Sequence, residues 1–257
     1  MSKDRGRDRD RDGGDIYDPA FVAGLFDRCS SNYRRWSAVS SFGFVWLWRK
    51  QCVGLLPVEN HQGAVVVDLM AGTGEVWPHL LKRLPKLGTI TALDISHRMH
   101  TEAVERLHGA YAEKITHIEA DALQTDLPQN HADLVVSTFG LKTFNAEQQT
   151  VLAKQIARIL KPGGRFALIE ASDPKGWVLR PFYRLYLDRL LPKIESLFLK
   201  GANDFSMIGT YTRNYSNSSY MADVLRTAGL GVVCKKHFFG CATSVAGHKP
   251  HPHQSQP

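Results

Sequence analysis

The chain passes from a strand to a helix within one short stretch, Val65–Glu75, which reads VVVDLMAGTGE. An apolar, β-branched run closes on an acid, Asp68, and gives way to small residues. The run is typical of a buried strand, and the spacing of Val76, Leu80 and Leu84 after it predicts a helix. Glycines let the backbone approach a ligand closely, and the start of a helix offers free N–H groups. The stretch therefore predicts a nucleotide-sized cradle.

The same alternation continues along the chain. We predict strands at 64–69, 89–94, 115–120, 132–138 and 165–171, and helices at 75–84, 97–112 and 146–160. The last of these helices is followed by Lys161–Gly164, a block that predicts a sharp stop. A helix at 217–228 and two apolar segments, 231–239 and 241–247, predict a closing hairpin. Because strands separated by helices form a parallel sheet covered on both faces, we predict an α/β fold with a doubly wound, mostly parallel seven-stranded sheet.

Two helical additions flank this pattern. Residues 16–60 carry aromatic and apolar residues at helical spacing, which predicts two or three short helices before the first strand. We interpret them as a lid over the cradle, with a brace on the core as the alternative. Residues 173–215 mix aromatic and basic residues and are divided by Pro181 and Pro192, which predicts an inserted cap of amphipathic helices.

The composition narrows the class of protein. Four scattered cysteines without paired spacing indicate reduced thiols and no metal site. No apolar run reaches the roughly 18 residues of a membrane span, and the N-terminus lacks the apolar core of a signal peptide, so we predict a cytoplasmic protein. The net charge of +7 is dispersed, which favours a solvated surface over a nucleic-acid partner. Residues 1–15 and 250–257 hold too little apolar surface to fold, which predicts disordered tails around a single domain at 16–249.

Three acids stand at the ends of the first three strands. Asp68 lies near the end of the first, Asp94 ends the second and Asp121 follows the third. Ligands of open parallel sheets bind outside the carboxyl ends of the strands. Asp94 is placed to accept both hydroxyls of a ribose, as an acid about 20 residues past a glycine turn does in dinucleotide folds. Asp121, next to Ala122, is placed to accept from an adenine amino group, so the acids together predict an adenosine site.

The glycine pattern then separates the candidate ligands. Dinucleotide binding needs G-x-G-x-x-G with helix N–H groups on a pyrophosphate. Here Trp77 stands at the third glycine position and Glu75 opens the helix. A bulky ring and an acid disfavour a diphosphate, and with it an NAD dehydrogenase. An adenosine ligand with an amino-acid tail fits best, which predicts S-adenosylmethionine as the cofactor.

Short motifs between Phe26 and Lys249 are shared with a known family. They are Phe26–Asp27 with Tyr33, Ser41–Gly43 with Leu47–Trp48, Asp68–Gly74, Asp94–Ile95 with Met99, Phe139–Leu141, Leu160–Arg165, Tyr183, Tyr186, Leu191–Pro192 and Gly247–Lys249. On these motifs the chain resembles the class I S-adenosylmethionine-dependent methyltransferases, and more closely the ubiquinone/menaquinone C-methyltransferases of the UbiE type. The resemblance implies a Rossmann-like methyltransferase fold with an N-terminal lid and an inserted cap.

The resemblance also implies roles for individual residues. Gly72 and Gly74 would line the methionine part of the cofactor, and Asp94 would hold the ribose. The rest of the predicted cofactor set comprises Ile95 and Met99 beside the adenine, Asp121 and Ala122 at its edge, Tyr33 from the lid, and Asp68, Thr73 and Ser137 around the turn.

The acceptor side departs from the family pattern. Arg34 follows Tyr33 where the family usually has Asp, Lys142–Thr143 replace Arg-Asn, and the block at 205–212 has diverged. We predict Lys142 and Tyr183 as catalytic candidates, with a surface lysine and a packing tyrosine as the alternatives. The predicted substrate-binding residues are Trp36, Phe139, Lys142, Tyr183, Tyr186, Arg213 and Tyr215.

These observations predict an S-adenosylmethionine-dependent methyltransferase acting on a small-molecule acceptor. Because methyl transfer is an in-line displacement, alignment is the main task of the enzyme. A carbon of an aromatic, quinol-like or enolic compound is the favoured acceptor. The alternatives are an N- or O-methyltransferase of a specialised metabolite or phospholipid amine headgroup, with residues 177–200 touching an anionic membrane, and a non-methylating protein that keeps the cofactor as a scaffold. The oligomeric state, a homodimer included, is left open.

Overall fold

The computed structural model describes residues 14–57, 59, 61–107, 112–198 and 206–251. Seven strands form one sheet: β1 (Val65–Leu69), β2 (Thr89–Asp94), β3 (Ile115–Glu119), β4 (Ala132–Thr138), β5 (Leu160–Ala171), β6 (Gly231–His237) and β7 (Ala242–His248). Their order is β3-β2-β1-β4-β5-β7-β6. The first five strands are parallel, and β7 runs antiparallel to both β5 and β6. The predicted doubly wound, mostly parallel sheet with a closing hairpin is confirmed.

Helices cover both faces of this sheet. They are α1 (Pro19–Ser40), α2 (Phe44–Val53), α3 (Trp77–Arg83), α4 (His97–Leu107), α5 (Ala146–Ile159), α6 (Arg180–Leu185), α7 (Leu191–Phe198), α8 (Ser206–Tyr215) and α9 (Ser219–Thr227). Alternate residues of β1 face opposite sides, so Val66 packs with α2 and α3 while Val67 packs with α5 and α9. Burial on both faces explains why the parallel strands read as continuous apolar runs.

The junction between α5 and β5 differs from the prediction at one end. Asn145 and Gln148 form a reciprocal capping box that starts α5, and the helix ends at Ile159 as the proline–glycine block requires. The strand, however, begins at Leu160 rather than at Arg165. Pairing continues through the block because Gly163, at φ +79°, donates its N–H to the Lys249 carbonyl at 2.8 Å.

The cap is helical, as predicted, but proline does not divide it. Residues 180–198 form one continuous helical run in which a π-turn, Tyr186–Leu190, precedes Pro192. A proline inside a helix lacks an N–H and its ring crowds the carbonyl four residues earlier, and the wider turn accommodates both effects. Pro181 stands at the start of α6, where its missing N–H costs nothing.

The N-terminal additions form two helices, of which α1 is long rather than short, with 22 residues. The segment before α1 is tied to two distant helices. Gln148 of α5 donates to the Tyr17 carbonyl at 2.8 Å, and Tyr211 of α8 donates to the Ile16 carbonyl at 2.5 Å. These bonds fix where α1 begins.

Some predictions fall outside the described residues. They are the tail at 1–13, positions 108–111 of the helix predicted at 97–112, the part of the cap at 199–205, and the tail at 252–257. Across the described part of the chain, no helix is both long enough and apolar enough to cross a membrane. None of the four cysteines, all of which lie in the described part of the chain, forms a disulfide, and only Cys234 is exposed.

Candidate functional site

The glycine turn after β1 is braced by the acid that ends β2. Gly72, at φ +56°, donates its N–H to Asp94 Oδ2 at 2.7 Å, and Ser96 donates its N–H to Asp94 Oδ1 at 2.9 Å. Burial raises the pKa of Asp94, while these two N–H donors act in the opposite direction. A Cβ on Gly72 would meet nothing within 4 Å, so the turn faces open space.

The indole of Trp77 fills the other side of the turn. Its ring lies so close to Gly74, at φ +74°, that a Cβ there would stand 2.5 Å from ring carbons. The indole N–H donates to Asp68 Oδ2 at 2.7 Å, while Asp68 Oδ1 is buried without a partner. Burial raises the pKa of Asp68 to about 8. The first turn of α3 is therefore packed with a ring, in accord with the exclusion of a diphosphate.

A cavity of about 790 Å³ opens beside this turn. Its lining brings together many residues that the sequence predicts for the site: Tyr33, Gly72, Asp94, Ile95, Met99, Asp121, Ala122 and Phe139. They come from α1, from the turn after β1, from α4 and from the ends of β2, β3 and β4. The carboxyl ends of neighbouring parallel strands therefore meet at one cavity, as expected for such sheets.

Two lining residues form a buried ion pair that sequence reasoning missed as site residues. Arg49 Nη2 lies 3.4 Å from Glu75 Oε2, and Arg49 is 3% exposed. Arg106 lies 3.7 Å from the other Glu75 oxygen, which also accepts from the Thr73 hydroxyl. The Arg49 guanidinium stands 5.1 Å from the Phe139 ring centre. No spacing rule links α2 to the glycine turn, so only the fold reveals this pair.

The segment that begins α1 covers the cavity. The cavity lining includes Tyr17, which precedes α1, and Pro19, Val22 and Phe26 of α1. Asp27 fastens the helix to the start of α4, because its Oδ1 accepts from Ser96 Oγ at 2.6 Å and from the Arg98 N–H at 3.1 Å. The segment predicted as a lid thus covers the cavity and is held at the edge where Asp94 lies.

Lys142 lies in the interior, beside the cavity rather than among its lining residues. Its ammonium group donates to Glu170 Oε1 at 2.8 Å and to the Phe139 carbonyl at 2.9 Å. The backbone N–H of Lys142 donates to the second Glu170 oxygen at 3.1 Å. Glu170 is completely buried. This pair holds Phe139, which adopts φ +68°, in place on the cavity wall.

Several predicted substrate residues serve the packing of the cap. The Tyr186 hydroxyl donates to the Ser40 carbonyl at 2.9 Å, and the Tyr215 hydroxyl donates to Ser218 Oγ at 2.9 Å. Arg213 lies 2.6 Å from Asp188 on the surface. Each of these groups is engaged away from the cavity lining.

The remaining predicted residues also lie outside the lining. Trp36 is buried in a cluster between α1 and the cap, and Tyr183 packs half-buried against the sheet-side core. Burial raises the pKa of Tyr183 and of Tyr215 well above the usual range. Ser137 is buried in β4 with its hydroxyl unbonded. Asp68, Thr73 and Gly74 are also buried and are not among the lining residues.

Known proteins resemble this chain over most of its length. The chain is 30% identical to a demethylmenaquinone methyltransferase of Lactiplantibacillus plantarum over 230 residues, 89% of this chain and 95% of the relative. It is 27% identical to the ubiquinone/menaquinone biosynthesis C-methyltransferase UbiE of Shewanella pealeana over 212 residues, 81% and 82% of the two chains.

The fold has solved counterparts. A Haloferax volcanii methyltransferase, solved in complex with the Trm112 activator, superposes with a TM-score of 0.62 at 19% identity, covering 88% of this chain and 98% of that one. The ubiE/COQ5 methyltransferase family matches residues 15–249, nearly the whole described chain. The protein therefore belongs to the ubiE/COQ5 family of S-adenosylmethionine-dependent methyltransferases.

Proposed function

We propose that the protein transfers the methyl group of S-adenosylmethionine to a carbon of an aromatic, quinol-like or enolic small molecule. The observation that carries the proposal is the composition of the cavity lining, which contains two groups of residues. The acid-bearing wall consists of the acids after the glycine turn, β2 and β3, and the aromatic wall consists of the aromatic residues of the lid segment and of the segment after β4. The curated relatives are named for methylation in menaquinone and ubiquinone biosynthesis.

The acid-bearing wall fits an adenosine. Each oxygen of Asp94 already accepts one backbone N–H and keeps further acceptor capacity for a ribose hydroxyl. Ile95 and Met99 offer apolar surface for a purine, and Asp121 stands at its edge with Ala122. Gly72 leaves room for a ligand, since a side chain there would occupy open space.

The Arg49–Glu75 pair fits the amino-acid end of the cofactor. An α-amino acid carries a carboxylate and an ammonium group on the same carbon, and the pair offers one charge of each sign beside the glycine turn. Both side chains are buried, where charge-assisted hydrogen bonds are strongest. We assign Arg49 to the carboxylate and Glu75 to the ammonium group.

The aromatic wall fits the acceptor. In the sheet order β3-β2-β1-β4, an adenosine over β3 and β2 places its methionine end toward β1 and β4. The cavity lining includes Phe139 and Phe144, which follow β4, and Tyr17 and Val22 of the lid segment. A planar apolar ring packs favourably against such a surface.

The chemistry needs little from the protein beyond alignment. The bound sulfonium supplies an electrophilic methyl group, and the enclosed walls hold the acceptor in line with it. Burial raises the pKa of Tyr33 above its usual range, so its phenol keeps its proton. Among the described residues that line the cavity there is neither a histidine nor a lysine. A phenol or enol acceptor must lose a proton to expose its nucleophilic carbon, and the carboxylates of the lining, Glu75, Asp94 and Asp121, are the groups there that can accept it.

The test uses isotope-labelled methyl donor with the purified protein and separate pools of quinols, enols and amines. The expected product carries the label on carbon, as read by mass spectrometry and NMR. Label on nitrogen or oxygen would refute the carbon assignment. Binding of S-adenosylhomocysteine without labelled product in any pool would favour a scaffold.

The cofactor assignment has its own test by calorimetry. Asp94→Asn keeps one carbonyl oxygen that can accept the Gly72 N–H but removes the negative charge, whereas Asp94→Ala removes both oxygens. We expect the alanine variant to bind S-adenosylhomocysteine about tenfold to a hundredfold more weakly, since hydrogen bonds to a charged group contribute about 1.5–3 kcal/mol. Asp223→Ala, at an exposed pair with Arg226, is the matched control. Unchanged affinity in Asp94→Ala would show that the ribose lies elsewhere.

A further inference from the structure

Large apolar side chains are exposed on segments that contact one another in the fold. They come from three segments, 42–47, 177–185 and 238–239, which we call the aromatic surface. The most exposed are Val178 (87%), Phe42 (76%), Phe182 (69%), Phe239 (66%) and Trp46 (62%). Contiguous apolar exposure of this kind marks an interaction site rather than ordinary surface.

The three segments contact one another. The Phe44 and Phe238 ring centres are 4.4 Å apart, and Trp177 lies 5.9 Å from Phe238 and 5.3 Å from Phe239, with which it is stacked. Phe42 contacts the cap at 5.3 Å from Tyr186. The aromatic surface is therefore one patch that spans the α1–α2 corner, the cap and the β6–β7 turn.

Three residues of the aromatic surface have a strained backbone conformation. Phe42, Phe238 and Phe239 adopt φ values of 50°, 42° and 56°. Bulky residues rarely adopt this left-handed conformation, and such strain persists where the surrounding structure enforces it, most often at functional sites. All three rings are exposed, so burial in the described core does not offset the strain.

The charges around the aromatic surface are predominantly positive. Exposed basic residues stand within three positions of its apolar residues: Lys50, Lys175, Arg184, Lys235 and Lys236. The nearby acids are neutralised, because Asp173 pairs with Arg180 and Asp188 lies between Arg213 and Arg184. The positive charge of the border therefore comes mainly from its four lysines. Apolar rings bordered by basic side chains complement a layer of anionic headgroups over acyl chains.

A continuous series of rings links the aromatic surface to the cavity wall. Trp48 lies 6.3 Å from Phe139, which lines the cavity, and 5.7 Å from Phe44, which contacts Phe238 on the surface. An apolar acceptor is poorly soluble in water and collects in the apolar interior of a membrane. A surface patch joined to the cavity by aromatic rings would place the cavity next to that interior. This link to the acceptor rests on the proposed function; the surface itself does not.

We propose that the aromatic surface docks the protein on an anionic phospholipid bilayer, with the rings of Phe42, Phe182, Phe238 and Phe239 at the headgroup–acyl boundary. The basic side chains around them face the lipid phosphates. Binding strength then combines apolar insertion with attraction to anionic lipid, and the second part weakens with salt.

The test is flotation of the full chain with vesicles of phosphatidylglycerol and phosphatidylcholine, compared with phosphatidylcholine alone, without methyl donor or acceptor. We expect flotation with the anionic vesicles and a loss in high salt. Phe182→Ser/Phe239→Ser should weaken binding about tenfold or more, since each buried CH₂ contributes about 0.8 kcal/mol. Val104→Ser/Val151→Ser, at exposed apolar residues of α4 and α5, is the matched control and should float like the wild type.

The outcomes are distinct. No flotation at low salt overturns the proposal, as does equal flotation of the double serine variant that retains its fold by circular dichroism. Equal binding to neutral vesicles overturns the role of the basic border. A wild type that fails to float but forms a dimer, which the serine variant converts to a monomer, would assign the surface to a second copy instead. S-Adenosylhomocysteine binding, measured separately, shows whether the methyl-donor site is intact.

Discussion

Replacing Gly74 with alanine introduces a single methyl group into the glycine turn, at the point where the Trp77 ring packs against it. That methyl would stand 2.5 Å from two ring carbons of Trp77 and 2.7 Å from a third. The ring cannot move freely, because Trp77 is fully buried and its N–H is bonded to Asp68 at 2.7 Å. Relief therefore requires a shift of the turn, of the ring, or of both.

The expected cost is the sum of three contributions. An alanine at φ +74° loses about 1–2 kcal/mol relative to glycine. Overpacking against a buried ring costs about 1–3 kcal/mol. Weakening the bond from Trp77 to the buried Asp68 carboxyl costs about 1 kcal/mol or more. We expect Gly74→Ala to lower the free energy of unfolding by about 3–6 kcal/mol.

Gly72→Ala supplies the matched control. Gly72 also has a positive φ, but a Cβ there meets nothing within 4 Å, so only the backbone cost of about 1–2 kcal/mol applies. Urea unfolding followed by far-UV circular dichroism compares the two variants. Equal losses would show that Trp77 is not seated against the turn. In addition, Gly74→Ala/Trp77→Ala should lose less than the sum of its single variants, because the removed ring leaves room for the methyl.

Further predictions concern the interior and the lid. Because burial raises the pKa of Asp68 to about 8, the folded protein holds a proton that the unfolded chain has lost above about pH 4. Stability should therefore fall as pH rises between these values, and Asp68→Asn should flatten that dependence in urea titrations at several pH values. Lys142→Met should cost about 3–5 kcal/mol by leaving Glu170 buried and uncompensated; Lys142→Met/Glu170→Leu should recover most of it, and no recovery would contradict the pairing. Asp27→Ala should remove the contact with Ser96, cost about 1–2 kcal/mol and speed S-adenosylhomocysteine release in stopped-flow fluorescence; an unchanged release rate would show that the contact does not hold the lid.

Periodicity predicted the sheet well because both of its faces are buried. The bounds of β2 and β4 match the prediction, and β1 and β3 differ by one residue at an end. Proline and glycine were less reliable signals. Pro192 remains within a helical run because a π-turn accommodates it, and Lys161–Gly164 remain in β5 because β7 supplies partners. Both outcomes depend on neighbours that are distant in sequence.

The acid-bearing part of the cavity lining was predictable because its residues follow strand ends in chain order. Asp94 and Asp121 come to the cavity with the strands that precede them. The rest of the lining was less predictable, because its residues depend on tertiary contacts. Lys142 occupies a family position, yet its ammonium group points to Glu170. Arg49 lines the cavity through a pairing with Glu75 that no local spacing signals.

The attachment of the lid segment has a consequence for the order of folding. The Ile16 carbonyl is bound by Tyr211, which lies 195 residues later in the chain. A growing chain cannot make this bond until α8 has been synthesised, by which time β1–β5 and the glycine turn are complete. Helix α1 can make its contacts with α4 and α5 earlier, through Asp27 and Tyr17, but this attachment of the segment before it has to wait for α8. The lid segment is therefore fully fastened only after the strands that carry the cavity, β1 to β4, have been made.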